Sequence, residues 1–229
     1  MLLKRSYHKE LMDDTSINDA RIDKAYKELH IINKFLGGIS VTRSGIKYFS
    51  NLDSKLKILD AGGGASDILY DLNNATRSLN IYSMDLSIYA CRYQKQKSGN
   101  NKIICADALK FPFKKNSFDL IHSSLFIHHL NENEIIRLLN GFMPVVKKGI
   151  IINELRRNIF ALIGIWLLTS VFSGSEFVKF DAPMSVKRAF TKKELVNLFT
   201  DAGIKNFIIK RKWAFRFLII IPAVENEKK

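Results

Sequence analysis

The sequence contains few of the residues that crosslink or interrupt a chain. Its 229 residues include 2 cysteines and 4 prolines, which excludes a disulfide-stabilised scaffold and a proline-rich disordered chain. Both cysteines, Cys91 and Cys105, lie in apolar periodic stretches, so we expect a reducing compartment. With 47% hydrophobic and 25% charged residues, the composition is that of a globular protein.

Long apolar runs are also missing. The longest, Ile159–Phe172, has about 14 residues, whereas a membrane-spanning helix needs about 20. Residues 1–5 contain a basic pair with no apolar stretch behind it, which does not predict a signal peptide. We therefore expect a cytoplasmic protein that does not cross a bilayer and that has peripheral contact with the inner membrane surface as an open alternative.

Acidic residues are the minority among the charged ones. The chain has 36 Lys and Arg against 22 Asp and Glu, a formal net charge of +14, and this excess predicts an anionic partner. The basic residues are scattered from Lys4 to Lys229 and form no stripe interleaved with aromatics, so no nucleic-acid partner is expected. The favoured interpretation is that the positive charge and the apolar run together bring the protein to an anionic membrane surface.

Apolar spacing predicts two helices at the start of the chain, over Asn18–Leu36 and Val41–Leu52. Short apolar strands then alternate with amphipathic helices, which predicts a parallel sheet with helices on both faces. The predicted strands are Leu56–Asp60, Ile81–Asp85, Lys102–Asp107, Phe118–Ser123 and Gly149–Glu154, and the helices between them are Asp67–Ser78, Ser87–Lys97 and Glu132–Phe142.

The alternation ends after Glu154. The apolar run predicts a helix, and an irregular stretch through Pro183 is expected to follow it. A capping box at Thr191 opens a helix that ends near Ala202. Two last strands, Ile204–Arg211 and Ala214–Ile221, are separated by the two residues of a tight hairpin.

The predicted fold is therefore α/β, with a seven-stranded, mostly parallel sheet whose last strand is antiparallel. We divide this single predicted domain into a helical N-terminal extension (1–54), a core (55–154), an insertion with an apolar lid helix (155–190) and a C-terminal helix and hairpin (191–229).

The richest motif joins the first predicted strand to the helix after it. Asp60 is followed by Gly62, Gly63, Gly64 and Ser66. Glycines there let the backbone turn sharply and let a ligand lie against main-chain N–H groups at the start of a helix. A plain strand-to-helix turn is the alternative. Further along, Asp85 ends the second predicted strand and Asp107 the third. An acid at the first of these positions can accept both hydroxyls of a ribose or cap a helix, and the second is equally consistent with a turn-forming residue.

These motifs resemble the class I S-adenosylmethionine-dependent methyltransferases. The D-x-G-x-G-x-S run from Asp60 is similar to their first motif, in which a third glycine usually stands where Ser66 stands here. The run from Phe111-Pro112-Phe113 through Ser117–Ile121 to His128-His129-Leu130 is similar to their fourth motif. The resemblance implies a Rossmann-like fold, S-adenosylmethionine as the cofactor and Asp107 near the adenine. The cofactor-binding residues that it implies are Asp60, Gly62, Gly63, Gly64, Ser66, Asp85, Leu86, Asp107, Ala108 and Ser123.

The ends of the chain resemble a narrower bacterial subgroup. Residues 10–13, 31–38 and 180–190 are similar to ubiquinone- and menaquinone-type methyltransferases that accompany polyketide or aryl-lipid biosynthesis. This resemblance implies a small hydrophobic acceptor and a role in secondary metabolism.

Three histidines lie in or after the fourth predicted strand. His122 is expected to be a packed or hydrogen-bonded core residue. His128 and His129 follow at the edge where a methyl acceptor would lie, and adjacent positions predict that at most one of them faces the site. We predict His129, and secondarily His128, as the base or orienting group. A metal site built from the three histidines is geometrically awkward, so no metal is predicted.

The acceptor is expected to bind in the insertion. The helix Ile159–Phe172 is predicted to cover an apolar pocket that Trp166, Leu167 and Phe172 line or cap, with a plain core helix as the alternative. Asp181 and Arg188 are predicted to orient the acceptor or to form a solvated loop pair. The same two interpretations, a group that orients the acceptor or a solvated residue, apply to Glu154.

The sequence thus predicts an enzyme that transfers a methyl group from S-adenosylmethionine to an oxygen or carbon of a phenolic, quinone, polyketide or aryl-lipid acceptor. An RNA or protein methyltransferase, for which only the net charge argues, is one alternative. A non-catalytic module that binds S-adenosylmethionine is the other.

Overall fold

A computed structural model describes residues 4–17, 19–50, 55–65, 67–76, 78–98 and 102–223 of the chain. The described chain forms one seven-stranded sheet with the strand order β3-β2-β1-β4-β5-β7-β6. Its strands are β1 (Leu56–Ala61), β2 (Leu79–Asp85), β3 (Lys102–Cys105), β4 (Phe118–Ser124), β5 (Val146–Leu155), β6 (Ile208–Lys212) and β7 (Arg216–Pro222).

The strands from β1 to β5 pair in parallel, and β7 pairs antiparallel with both β5 and β6. The chain order turns around between β1 and β4, which are neighbours in the sheet. Ligands of open α/β sheets bind at the carboxyl ends of the strands where the order reverses. This topology therefore places the candidate site beyond Ala61 and Ser124, the last residues of β1 and β4.

Helices cover both faces of the sheet. They are α1 (Ala20–Phe35), α2 (Gly38–Phe49), α3 (Asp67–Thr76), α4 (Ile88–Ser98), α5 (Glu132–Phe142), α6 (Ile159–Phe172), α7 (Glu176–Arg188) and α8 (Lys192–Asp201). Short 3₁₀ turns lie at Leu11–Asp13, Ile127–His129 and Met143–Val145.

Successive residues of the central strands point to opposite faces, so each strand contributes to two cores. Leu59 belongs to the larger cluster, which includes residues of α5 and α8, whereas Ile58 packs in a second cluster with Val41 of α2 and Leu72 of α3. A third cluster joins α1, α6 and α7 beside the sheet. The N-terminal helices are thus part of the packed structure.

The structure corrects two predictions about the last third of the chain. The stretch through Pro183 is not irregular, because α7 runs through it from Glu176 to Arg188. Ser175 caps this helix by accepting a hydrogen bond from the N–H of Val178. The hairpin loop has three residues instead of two, because β6 ends at Lys212 and β7 begins at Arg216.

The remaining predicted elements are present: the helices at Glu132–Phe142 and Ile159–Phe172 have the predicted bounds, and the others have shifted ends. Positions 18, 51, 52 and 77 of the predicted helices lie outside the described residues. The α/β fold with a mostly parallel sheet, an antiparallel last strand and helices on both faces is confirmed. The division at residues 54, 154 and 190 stays a prediction. Among the described residues, no helix has the length and apolar character needed to cross a membrane.

Candidate functional site

A cavity of about 400 Å³ opens at the carboxyl edge of the sheet. Its walls come from the ends of β1, β2 and β4, from α1 and α7, and from the N-terminal segment at residues 10–15. The predicted residues that line it are Asp60, Gly62, Gly63, Gly64, Asp85, Leu86, His128, His129 and Asp181. The topology therefore brings together most of the residues that the sequence singles out.

The glycine loop after β1 has a conformation that suits glycine. Gly62 has φ +69°, and a Cβ on it would lie 2.3 Å from the ring of Phe126. Gly64 has φ +51°, but no atom lies within 4 Å of the position of its Cβ. Gly62 is therefore required for packing, whereas Gly64 leaves open space beside the backbone, as a cradle for a ligand requires. Ser66 lies outside the described residues.

The carboxylate of Asp85 lies opposite this loop and bonds to backbone. Its Oδ2 accepts a hydrogen bond from the N–H of Gly64 at 2.8 Å, and its Oδ1 accepts one from the N–H of Ser87 at 2.8 Å. Burial raises the pKa of Asp85, while the two N–H groups act to lower it. The carboxylate is thus fixed in orientation and still has lone pairs for a ligand.

Asp60 and His122 form a buried pair at the floor of the cavity. Oδ1 of Asp60 lies 2.7 Å from Nδ1 of His122, whose Nε2 is 2.9 Å from the hydroxyl of Thr42. His122 is therefore the hydrogen-bonded core residue that its position in the strand predicts, although an edge of it reaches the cavity wall.

Three predicted cofactor-binding residues do not line the cavity. Asp107 accepts a hydrogen bond from the N–H of Leu109 at 2.8 Å, which is the turn-forming alternative. Ala108 and Ser123 are buried, and Ala108 packs in the larger core cluster. Ser124, the next residue of β4, lines the cavity instead of Ser123. The side chains of adjacent strand residues point to opposite faces, which explains why Ser124 lines the cavity and Ser123 does not. The cofactor-binding roles of Asp107, Ala108 and Ser123 stay predictions.

His128 is buried between two carboxylates. Its Nδ1 lies 2.7 Å from Oε1 of Glu154, and its Nε2 lies 3.5 Å from Oε1 of Glu10. Burial acts to lower the pKa of His128, but the charges of and hydrogen bonds with Glu154 and Glu10 outweigh it and raise the pKa to about 9. The two carboxylates therefore favour the charged, imidazolium form of His128, and its predicted role as a base or orienting group stays a prediction.

His129 is the more accessible of the two histidines. Its Nδ1 lies 2.5 Å from Oδ1 of Asp13, and its Nε2 is 3.9 Å from Oε2 of Glu10. The charges and hydrogen bonds of His129 and of Arg188 hold the pKa of Asp13 well below its usual range, against the effect of burial. In the tautomer whose Nδ1–H donates to Asp13, Nε2 carries the unbonded lone pair of the ring.

The expectation that at most one of these histidines faces the site is wrong. Both line the cavity, and their rings lie 4.3 Å apart at an angle of 32°. The 3₁₀ turn at Ile127–His129 brings the two adjacent side chains to one side, and acidic partners on either side stabilise the stacked pair.

Asp181 and Arg188 are not a solvated loop pair, because both are buried on α7. Asp181 accepts hydrogen bonds from the N–H groups of Leu11 and Met12, and burial raises its pKa to about 6. The guanidinium of Arg188 donates to the carbonyls of His128 and His129 and to Asp13. Arg188 therefore positions the histidines from behind, whereas Asp181 lines the cavity and fixes the N-terminal segment.

Glu10 completes a group that sequence reasoning missed. The ligand atoms of Glu10, His128 and His129 lie within 4.8 Å of one another, so these three residues could hold a metal ion. His122 is not in this group. The absence of a metal stays a prediction, and the ion pairs with Glu154, Asp13 and Arg188 already balance most of the local charge.

A second, apolar cavity of about 290 Å³ adjoins the first. The two share five lining residues, which are Leu29, Asn33, Leu125, Ala182 and Ser185. Helix α6 contributes Phe160, Ala161, Gly164, Ile165 and Leu168 to its wall, so the predicted lid helix covers an apolar cavity and is not a plain core helix.

Trp166, Leu167 and Phe172 do not line this pocket, and the alternative that they cap it stays a prediction. Trp166 is 56% exposed and Phe172 81% exposed, and none of the three is in its wall. A helix rotates by 100° per residue, so the side chains of Trp166 and Leu167, one and two positions after Ile165, turn away from the cavity. Phe172 instead faces α1 in a smaller surface groove.

The chain is similar in sequence and in fold to known methyltransferases. A family described as a methyltransferase domain matches residues 59–152. Over 146 residues, the chain is 27% identical to phosphoethanolamine N-methyltransferase 2 of Caenorhabditis elegans, an alignment that covers 62% of this chain and 33% of that protein. The chain spans between one third and one half of the length of the curated relatives it matches.

Solved structures share the fold. An S-adenosylmethionine-dependent methyltransferase from Aquifex aeolicus superposes with a TM-score of 0.59 at 18% identity, over 80% of this chain and 89% of that one. The magnesium protoporphyrin IX methyltransferase of Synechocystis, solved with bound S-adenosylhomocysteine, gives a TM-score of 0.54 at 15% identity, over 82% of each chain.

The fold is the Rossmann-like fold that S-adenosylmethionine-dependent methyltransferases share, and the chain is similar to the methyltransferase domain family over residues 59–152, which is less than half of its length. Its matched region begins in β1, before the glycine loop, and ends in β5. The resemblance of the chain's ends to the ubiquinone and menaquinone subgroup stays a prediction.

The raised pKa of His128, which lies between Glu154 and Glu10, predicts that the stability of the protein depends on pH. Because the folded pKa of about 9 exceeds the unfolded value of 6.5, the stabilisation is complete below about pH 6.5 and is lost as pH rises through 9, by up to about 3 kcal/mol. Glu10, Glu154 and His129 are the titratable groups that face His128. We expect the free energy of unfolding in urea to fall from pH 6.5 to 8.5, and to fall less in Glu154→Gln. Equal slopes for both proteins would contradict the assignment.

Proposed function

We propose that the chain binds S-adenosylmethionine in the larger cavity and transfers its methyl group to an oxygen or carbon of a small hydrophobic acceptor held in the apolar cavity. The observation that carries the proposal is that the two cavities adjoin and share five lining residues. A polar site at a glycine loop next to an apolar site is the arrangement that this transfer needs.

The polar cavity offers groups that fit the cofactor. The open space beside Gly64 accommodates a ligand against the main chain. The fixed carboxylate of Asp85 can accept hydrogen bonds from both ribose hydroxyls. Leu86, which is 62% exposed while lining the cavity, provides an apolar surface for an adenine.

The apolar cavity fits the acceptor class. Its wall is aliphatic and aromatic except for Asn33, Ser185 and Arg216, and ligand sites are commonly apolar with a few orienting polar groups. The resemblance of the chain's ends favours a phenolic, quinone, polyketide or aryl-lipid acceptor, and with it a role in secondary metabolism.

The residues of the chain itself have three tasks in this reaction: to position the acceptor, to exclude water and to accept a proton. When bound, S-adenosylmethionine supplies an activated methyl group on a positively charged sulfur. The walls hold the acceptor in line with this group, which can contribute several kcal/mol, and α6 keeps water away. His129 accepts the acceptor's proton at Nε2, because Asp13 occupies its Nδ1. Such a base matters for a phenol, whose pKa is about 10.

The first test is titration calorimetry with S-adenosylmethionine. We expect the wild-type protein to bind, and Asp85→Ala to bind about 100-fold more weakly because two charge-assisted hydrogen bonds to the ribose are lost. Asp85→Asn keeps the shape of the side chain and shows whether the charge matters. Asp201→Ala, on the exposed end of α8, serves as the control and keeps the wild-type affinity. Absence of binding by the wild-type protein would refute the proposal.

We also propose peripheral contact with an anionic membrane surface. Phe160, Trp166 and Val171 are exposed on one side of α6, and Phe172 is exposed at its end beside α1. The formal net charge is +14. Exposed apolar groups that insert into a lipid surface, combined with attraction to anionic headgroups, bind proteins to such membranes.

Co-sedimentation with liposomes tests this contact. We expect binding to rise with the fraction of anionic lipid, and the double variant Trp166→Ser/Phe172→Ser to bind at least about tenfold more weakly. Tyr48→Ser removes an exposed aromatic from α2 and should bind like the wild type. Binding that is independent of the anionic lipid content would exclude this mode of contact.

A further inference from the structure

Arg216 is an unusual residue for its position. It is the first residue of β7, whose other residues are all apolar, and it is 1% exposed. Arginine is almost never fully buried unless it is paired with an opposite charge, because a buried charge without a partner is costly. The partners of this guanidinium therefore indicate what it does.

Among the described residues, the hydrogen-bond partners of Arg216 are neutral. Nε donates to the carbonyl of Leu36 at 2.9 Å, Nη1 to Oδ1 of Asn153 at 3.1 Å, and Nη2 to Oδ1 of Asn33 at 2.7 Å. In the part of the chain that the structure describes, no carboxylate oxygen lies within 4.0 Å of it. Burial lowers its pKa to about 10, an effect that the more distant charge of Glu154 opposes.

The other buried arginines have carboxylate partners. Arg157 pairs with Glu194, and Arg188 pairs with Asp13. Arg216 differs from both in one further respect, because it lines the apolar cavity. A guanidinium has five N–H donors, of which these bonds use three, so Nη1 and Nη2 each keep one N–H.

Resting on the function proposed above, we propose that the acceptor carries an anionic group, a carboxylate or a phosphate, which pairs with Arg216 inside the apolar cavity. The apolar body of the acceptor would fill the cavity beneath α6. Its reactive atom would face the polar cavity across the shared wall at Leu125 and Ser185. The anion supplies the counter-charge that the fold omits, and charge-assisted bonds to an arginine are among the stronger recognition contacts.

Three ligands of one shape test this inference. Titration calorimetry compares octanoate, octyl phosphate and 1-octanol, which share an eight-carbon chain and differ in the charge of the head. For the wild-type protein we expect at least one of the anions to bind about tenfold or more tightly than the alcohol. In Arg216→Gln this preference disappears, whereas Arg216→Lys keeps part of it because the charge remains.

The matched control is Arg156→Gln. Arg156 lies over the ring of Phe215 beside the cavity but not in its wall, so this variant should keep the preference for anions. Equal affinity of the wild type for the three ligands overturns the inference, as does a preference that survives in Arg216→Gln. The wild-type comparison is decisive even if Arg216→Gln fails to fold. S-adenosylmethionine is titrated into the same samples as a separate test of the proposed function. If it binds while the preference for anions is missing, this inference fails and the proposed function does not.

Discussion

A buried chain of hydrogen bonds under the carboxyl edge of the sheet organises this protein. It runs from Asp60 to His122 (2.7 Å), from His122 to Thr42 (2.9 Å), from Thr42 to Asn153 (3.1 Å) and from Asn153 to Arg216 (3.1 Å). All five residues are buried. Buried polar groups that lose a partner keep their desolvation cost, so the links of this chain constrain one another.

This network of hydrogen bonds fixes the position of one cavity relative to the other. Its members come from β1, β4, α2, β5 and β7, so one network ties four strands to the N-terminal extension. Asp60 lies in the wall of the polar cavity, and Arg216 lies in the wall of the apolar one. Asn153 also donates to the carbonyl of Gly38, which fixes the start of α2 against the sheet. The helical extension is therefore part of the site's framework.

The sequence predicts the sheet and the cofactor side of the site because their signals are local. Short strands rich in apolar residues alternate with amphipathic helices, and the motif at Asp60–Gly64 is contiguous. Asp85 follows from its place at the end of a strand, since parallel strands end at one edge. These predictions need no knowledge of how distant segments pack.

The acceptor side was less predictable because its contacts are long-range. Glu10 meets His128 across about half of the sequence, and no spacing rule links such positions. Trp166 and Ile165 are neighbours on an evenly apolar helix, so periodicity could not tell the cavity side from the exposed side. Pro183 suggested an irregular segment, yet Ser175 at the N-cap and basic residues in the last turn were the signals of a helix.

Equilibrium unfolding of Thr42→Val in urea tests the central claim most directly. Thr42 is in the wall of neither cavity, and valine matches its size while removing the hydroxyl that joins His122 to Asn153. If this network of buried hydrogen bonds organises the fold, the free energy of unfolding falls by about 2 to 4 kcal/mol, because Nε2 of His122 and one N–H of the Asn153 amide lose their partner. A variant as stable as the wild type would contradict the account.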